Sequence, residues 1–152
     1  MSFIAKDSVP ETEGVSGYPG SYNLGRGKLY YRPVSDTGGL TQFGAAIERL
    51  EPGARSSQLH WHSHEDEFLY LLQGRLTVLE GDTETVIDPG DACCWKAGDP
   101  VGHSVRNDSD EAAIYIIAGS RVEGDICIYP ECDMILTPKG FLHLDGTPWD
   151  KG

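Results

Sequence analysis

Apolar residues in this chain fall in short runs, and nearly every run is closed by residues that turn the backbone. From Leu29 onward the runs are Leu29–Val34, Thr41–Leu50, Gln58–Trp61, Phe68–Leu72, Leu76–Leu79, Thr85–Ile87, Ala92–Trp95, Ser104–Arg106, Ala112–Ala118 and Ile126–Tyr129. Between them stand segments such as Glu51-Pro52-Gly53, Gln73-Gly74, Glu80-Gly81-Asp82, Asp88-Pro89-Gly90-Asp91 and Ala97-Gly98-Asp99-Pro100. Gly reaches positive φ, Pro presets its own φ, and Asp or Asn bonds its own backbone, so each of these breaks is a turn with a mechanism. About ten short strands at intervals of roughly 8–12 residues predict an antiparallel sandwich or barrel whose sheets close on each other. Helix is expected, if anywhere, only in the last few residues.

The two ends depart from this rhythm. Residues 1–27, rich in Gly, Ser, Pro and Tyr, read as an irregular arm that packs on the barrel or on a partner subunit. Residues 28–136 hold the barrel, and residues 137–152 return to irregular chain. There is no internal repeat and no second domain.

Composition narrows the class. A chain of 152 residues is long enough for one core, and 39% hydrophobic with 24% charged residues is ordinary for a globular protein. The net charge of −12 opposes phosphate backbones and anionic lipid, so neither nucleic acid nor membrane is expected as a partner. No apolar run is long enough to span a bilayer, and the start turns polar within a few residues. A cytoplasmic location follows as the expectation. In that reducing setting Cys93, Cys94, Cys127 and Cys132 read as buried small residues or free thiols. Cys93 and Cys94 would face opposite sides of one strand.

Chemistry concentrates in His60-Trp61-His62-Ser63-His64-Glu65-Asp66-Glu67. Alternate residues of a strand share a face, so His60 and His62 project together. Glu67 has the opposite parity and rejoins that face only if the chain turns between Ser63 and Asp66. His103, after Gly98-Asp99-Pro100-Val101-Gly102, opens a later strand. His64 is a further candidate, either substrate-facing or an exposed turn residue. Trp61, Glu65, Asp66 and His143 have simpler readings as packing, a solvated acidic turn and a tail residue.

These residues resemble the cupin superfamily over roughly residues 40–120. The family's first motif is met by Gly53, His60-x-His62, four residues, Glu67, six residues and Gly74, with one residue more than usual before His60. Its second motif is met by Gly90, Lys96-Ala97-Gly98, His103, three residues and Asn107. There Lys96 replaces a proline, and the loop before His103 is two residues longer. The stretch Gly39–Gly44 is similar to that of small single-domain bacterial cupins. The resemblance implies an all-β double-stranded β-helix (jelly-roll) barrel, one divalent metal held by His60, His62, Glu67 and His103, and a homodimer.

Three imidazoles and one carboxylate suit Fe(II), Mn(II), Ni(II), Co(II) or Zn(II), and lack the thiolates usual in a structural zinc site. An octahedral ion with four protein ligands keeps two positions open for a chelating small molecule. Gln58 and Trp95, with His64, are the expected substrate-side residues. Three functions fit: a dioxygenase acting on a chelating oxygenated substrate, which ranks first, a non-redox isomerase, epimerase or lyase, and a non-catalytic sugar or organic-acid binding module.

Overall fold

The computed structural model describes residues 3–23 and 25–149, so the outermost ends of the expected arm and tail lie outside the described residues. The strands are β1 (Thr12–Glu13), β2 (Leu29–Arg32), β3 (Phe43–Leu50), β4 (Trp61–His62), β5 (Glu67–Gln73), β6 (Leu76–Glu80) and β7 (Thr83–Ile87). They continue as β8 (Ala92–Trp95), β9 (His103–Arg106), β10 (Ala113–Ser120), β11 (Cys127–Tyr129), β12 (Met134–Thr137) and β13 (Gly140–Leu142).

One face of the barrel is a six-stranded sheet ordered β1-β2-β3-β10-β5-β8. The other is made of β7-β6-β9 and β13-β12-β11-β4, stitched together where Arg55 bridges Arg106 and His60 bridges His103. All pairings among the described strands are antiparallel, and the fold is an all-β double-stranded β-helix.

Period-2 alternation explains the core. Along β5 and β10, Leu69, Leu71, Ala113 and Tyr115 turn inward to meet Leu50, Leu76, Val78 and Val105. The outward set Phe43, Phe68, Tyr70 and Leu72 stays exposed on the six-stranded sheet. Gly74 ends β5 at φ +82°, where a Cβ would sit 2.7 Å from the Ala112 carbonyl oxygen, so only glycine fits there.

The ends are more ordered than their composition suggests. Past Leu136 the chain forms the β12–β13 hairpin instead of irregular tail, because Gly140 at φ +113° lets it double back. Tyr18 and Tyr22 of the arm pack with Tyr129, Phe141 and Trp149 in a second apolar cluster, which buries arm and tail on the same chain. Helix occurs early, as a 3-10 turn at Gly20–Asn23 and one α turn at Val34–Thr37, while the described C-terminal residues contain none. Among the described residues no helix is long and apolar enough to cross a membrane.

Candidate metal centre

Two cross-strand pairings deliver the imidazoles. His60 and His103 lie directly opposite each other, exchanging backbone hydrogen bonds of 3.1 and 2.9 Å, so both rings leave the sheet on the same side. Two residues on, His62 pairs with Cys127 of β11. The chain then bends at Ser63 and His64 and crosses to the facing sheet, where Glu67 opens β5. Its neighbour on β10 is Gly119, whose missing side chain leaves room around the carboxylate.

The four side chains meet at one atom. Glu67 Oε2 lies 2.7 Å from His103 Nε2, 3.5 Å from His60 Nε2 and 3.7 Å from His62 Nε2. Burial pushes the Glu67 carboxyl up, but hydrogen bonds from His103 and His60 outweigh it and hold the group well below the usual carboxylate range. His103 is only 4% exposed, and burial keeps its ring more readily neutral than a free imidazole. An ionised carboxylate ringed by three Nε2 atoms is a donor set able to chelate a divalent ion.

The rings are aimed from behind. The His60 Nδ1 is 3.0 Å from the Gln58 carbonyl oxygen and 3.2 Å from Ser57 Oγ. The His62 Nδ1 is 2.6 Å from Asp125 Oδ2. With an ion bound, donation from Nδ1 of His60 and His62 would leave each Nε2 lone pair facing the centre. His103 Nδ1 has no partner among the described residues. Its ring is fixed by Trp95, which stacks on it at 4.0 Å and 5° and is itself anchored by an Nε1–H bond to Glu80.

Two neighbouring clusters are poorer ligand sets. Cys127 lies within reach of His60 and His62, but burial pushes its thiol up to about 12, so it stays protonated at neutral pH. Asp125 and Glu65 also gather around His62, yet Asp125 is already committed to the His62 ring, the His64 amide and the Ser63 hydroxyl. All four cysteines are free thiols. Cys93 packs against the core and Cys94 is exposed on the opposite face of β8.

The centre sits at a constriction between two spaces. Inside the barrel is a cavity of about 140 Å³ lined in part by Glu48, Ser57, His60, His103 and Tyr115. Outside is a vestibule of about 310 Å³ bordered by Trp61, His62, Glu65, Lys96 and Asp99. Glu67, Trp95 and His103 line both.

Of Gln58, His64 and Trp95, only Trp95 lines the two spaces. Gln58 turns away and donates from Nε2 to the Tyr22 carbonyl oxygen at 2.8 Å, tying down the arm. The chain bends through Ser56–Leu59, so strand alternation does not carry from His60 back to Gln58. His64 is exposed and lies against Ser63, outside both spaces. Asp125, Ser57, Glu48 and Tyr115 escaped sequence reasoning, since none lies in a motif and only the fold brings them to the centre.

A family model described as Cupin domain matches residues 46–119. A sugar phosphate isomerase of the cupin superfamily from Silicibacter pomeroyi DSS-3 is 35% identical over 98% of this chain and 97% of that chain, with a TM-score of 0.90. This chain is a cupin. A putative sugar phosphate isomerase from Acidithiobacillus ferrooxidans is similar at 25% identity over 86% and 85% of the two chains, with a TM-score of 0.76. A predicted oxalate decarboxylase from Thermotoga maritima, at 18% identity, 79% and 99% coverage and a TM-score of 0.64, shares the cupin fold. No protein of curated function matches this cupin in sequence.

Proposed function

We propose that this cupin is a metal-dependent isomerase of a small hydroxy-carbonyl substrate, with sugar phosphates as the substrate class. The observation that carries this reading is the approach of three imidazole Nε2 atoms to a single Glu67 oxygen within 2.7–3.7 Å. His60, His62, Glu67 and His103 would hold one divalent ion, of Fe, Mn, Ni, Co or Zn. Bound there, it supplies a Lewis acid for a carbonyl or hydroxyl oxygen. The Nδ1 contacts hold the His60 and His62 rings aimed, while Trp95 stacks on His103.

The similarity to a sugar phosphate isomerase across almost the whole of both chains supports placing isomerisation ahead of the dioxygenase expected from the ligand set. An anionic group entering phosphate outward would find one partner, Lys96, among the carboxylates of Glu65, Glu67, Glu80 and Asp99. Lys96 is the one cationic side chain lining the vestibule, at the position where the family pattern has proline. The interior cavity is lined by Glu48 and offers a phosphate no cation. The homodimer belongs to the same proposal. Tyr18 and Tyr22 are occupied within the chain, but the exposed Phe43, Phe68, Tyr70 and Leu72 support pairing through the six-stranded sheet, which sedimentation would test.

The deciding experiment loads purified protein separately with Zn(II), Mn(II) and Fe(II) and incubates each with aldose phosphates of three to six carbons. Ketose formation with redox-inert Zn(II) or Mn(II), without oxygen uptake, is the expected result. Oxygen uptake confined to Fe(II) would return the dioxygenase to first place. A panel that raises the melting temperature and is recovered unchanged would favour a binding module.

A further inference from the structure

The deepest part of the interior cavity is polar where a barrel floor is ordinarily apolar. Glu48 of β3 and Tyr115 of β10 are direct cross-strand partners, both inward-facing and both lining the cavity that also holds His60, Glu67 and His103. Tyr115 is 1% exposed, and its hydroxyl lies beside the Glu48 carboxyl without a hydrogen bond of 3.5 Å or less to any described residue. A buried hydroxyl without a partner costs free energy that a bound polar group would recover. The pairing between β10 and β5 slips by one residue between Ile114 and Tyr115, a bulge of the kind that re-aims side chains beside active sites.

Other groups around Glu48 do not neutralise it. Tyr31 flanks it from β2, Glu67 faces it from β5, and Arg26 approaches from the arm with its guanidinium over the Tyr18 ring. Glu48 makes no ion pair of 4.0 Å or less among the described residues, in contrast to Glu11, Glu51 and Glu84, which each pair with an arginine. Burial pushes its carboxyl up, with Tyr115 acting the other way and Glu67 adding to the rise. A carboxyl raised in this way accepts a proton more readily than an ordinary glutamate.

From the shared cavity, the unpaired hydroxyl and the bulge, we infer that Glu48 is the proton-transfer residue of this cupin and that Tyr115 is its hydrogen-bonding partner on the substrate's reacting end. The cavity holds several waters at roughly 30 Å³ each, or the first carbons of a polyol, so the carbonyl end enters and the rest of the substrate stays in the vestibule. Glu48 takes the proton from the carbon beside the carbonyl, and the C–H electrons become a C=C bond as the C=O π pair moves onto its oxygen, giving an enediolate. The same carboxyl returns the proton to the neighbouring carbon while the hydroxyl proton passes between the two oxygens. Atoms and electrons balance without a co-reactant.

This inference rests on the isomerase reading, and one experiment separates their failures. Metal-loaded wild type, Glu48→Gln, Glu48→Asp and Tyr115→Phe are incubated in D₂O with ribose 5-phosphate and glyceraldehyde 3-phosphate. Deuterium at the carbon beside the carbonyl is followed by NMR, and metal content is measured alongside. The expected result is a fall in kcat of about 10²–10⁴-fold in Glu48→Gln, with metal content kept and KM nearly unchanged, and a partial recovery in Glu48→Asp. Tyr115→Phe should lose less, about 10-fold. In metal-free protein, the carboxyl ¹³C resonance missing from Glu48→Gln should titrate above the ordinary glutamate range and shift again in Tyr115→Phe. Exchange retained in Glu48→Gln, or ordinary titration of that resonance, overturns the role of Glu48 while leaving the isomerase intact. Silence from wild type with both substrates under every metal removes the isomerase and this inference with it.

Discussion

The metal centre and the floor of the cavity beneath it are built from the same sheets, yet they treat polar groups in opposite ways. At the centre, Glu67, His60 and His62 have partners in His103, Ser57, Gln58 and Asp125. The His103 Nδ1, whose ring is backed by Trp95, is the one ring nitrogen there that is buried without a partner among the described residues. At the floor, the Tyr115 hydroxyl has none among the described residues. Satisfied polar networks rigidify a site, whereas unsatisfied ones await a ligand. On the proposed reading, one region would hold an ion still and the other would receive a substrate.

The sharpest way to break the contrast is at Glu67. Glu67→Gln removes the site's only carboxylate ligand, and metal retained after gel filtration should fall by more than the 10–100-fold typical of an outer-shell change, taking turnover with it. Glu48→Gln comes second, losing turnover but no metal. Asp125→Asn weakens the hold on His62 Nδ1 and should lower metal affinity by about 10–100-fold, measured by competition with a chelating dye.

A smaller effect appears in stability against pH. A carboxyl raised by burial stabilises the fold fully below its unfolded value near 4.3 and loses that contribution as pH rises through its folded value. Metal-free wild type should therefore lose melting temperature relative to Glu48→Gln over the pH range above that unfolded value, at about 2–4 °C per kcal/mol in a chain of this size. A constant gap across that range would remove Glu48 from the raised class. The smallest effect is at His64. His64→Ala should leave metal content and turnover unchanged and stability within about 0.5 kcal/mol by denaturant titration, as expected of an exposed residue.

The four candidate ligands were legible because they lie in short motifs whose geometry follows from period-2 alternation and one turn. His60 and His62 share a face by parity, and His103 stands at the start of its own strand. Gln58 shows where that logic stops, since it has the same parity as His60 but lies on a bent segment and serves the arm. The hairpin at Gly140–Leu142 and the tyrosine-rich cluster were hidden because their low-apolar, Gly- and Pro-rich sequences are those of irregular chain. Their order comes from packing against each other.

By itself, the sequence determined the all-β class, the positions of β2 to β11 to within a few residues and the residue types of the candidate ligand set, all of which depend on neighbours along the chain. Tertiary structure alone decided what stands behind and beneath that set. Asp125 reaches His62 across 63 residues, and Tyr115 lies opposite Glu48 on a strand more than sixty residues away. Such pairings are chosen by sheet register and barrel closure, long-range properties that no local pattern records.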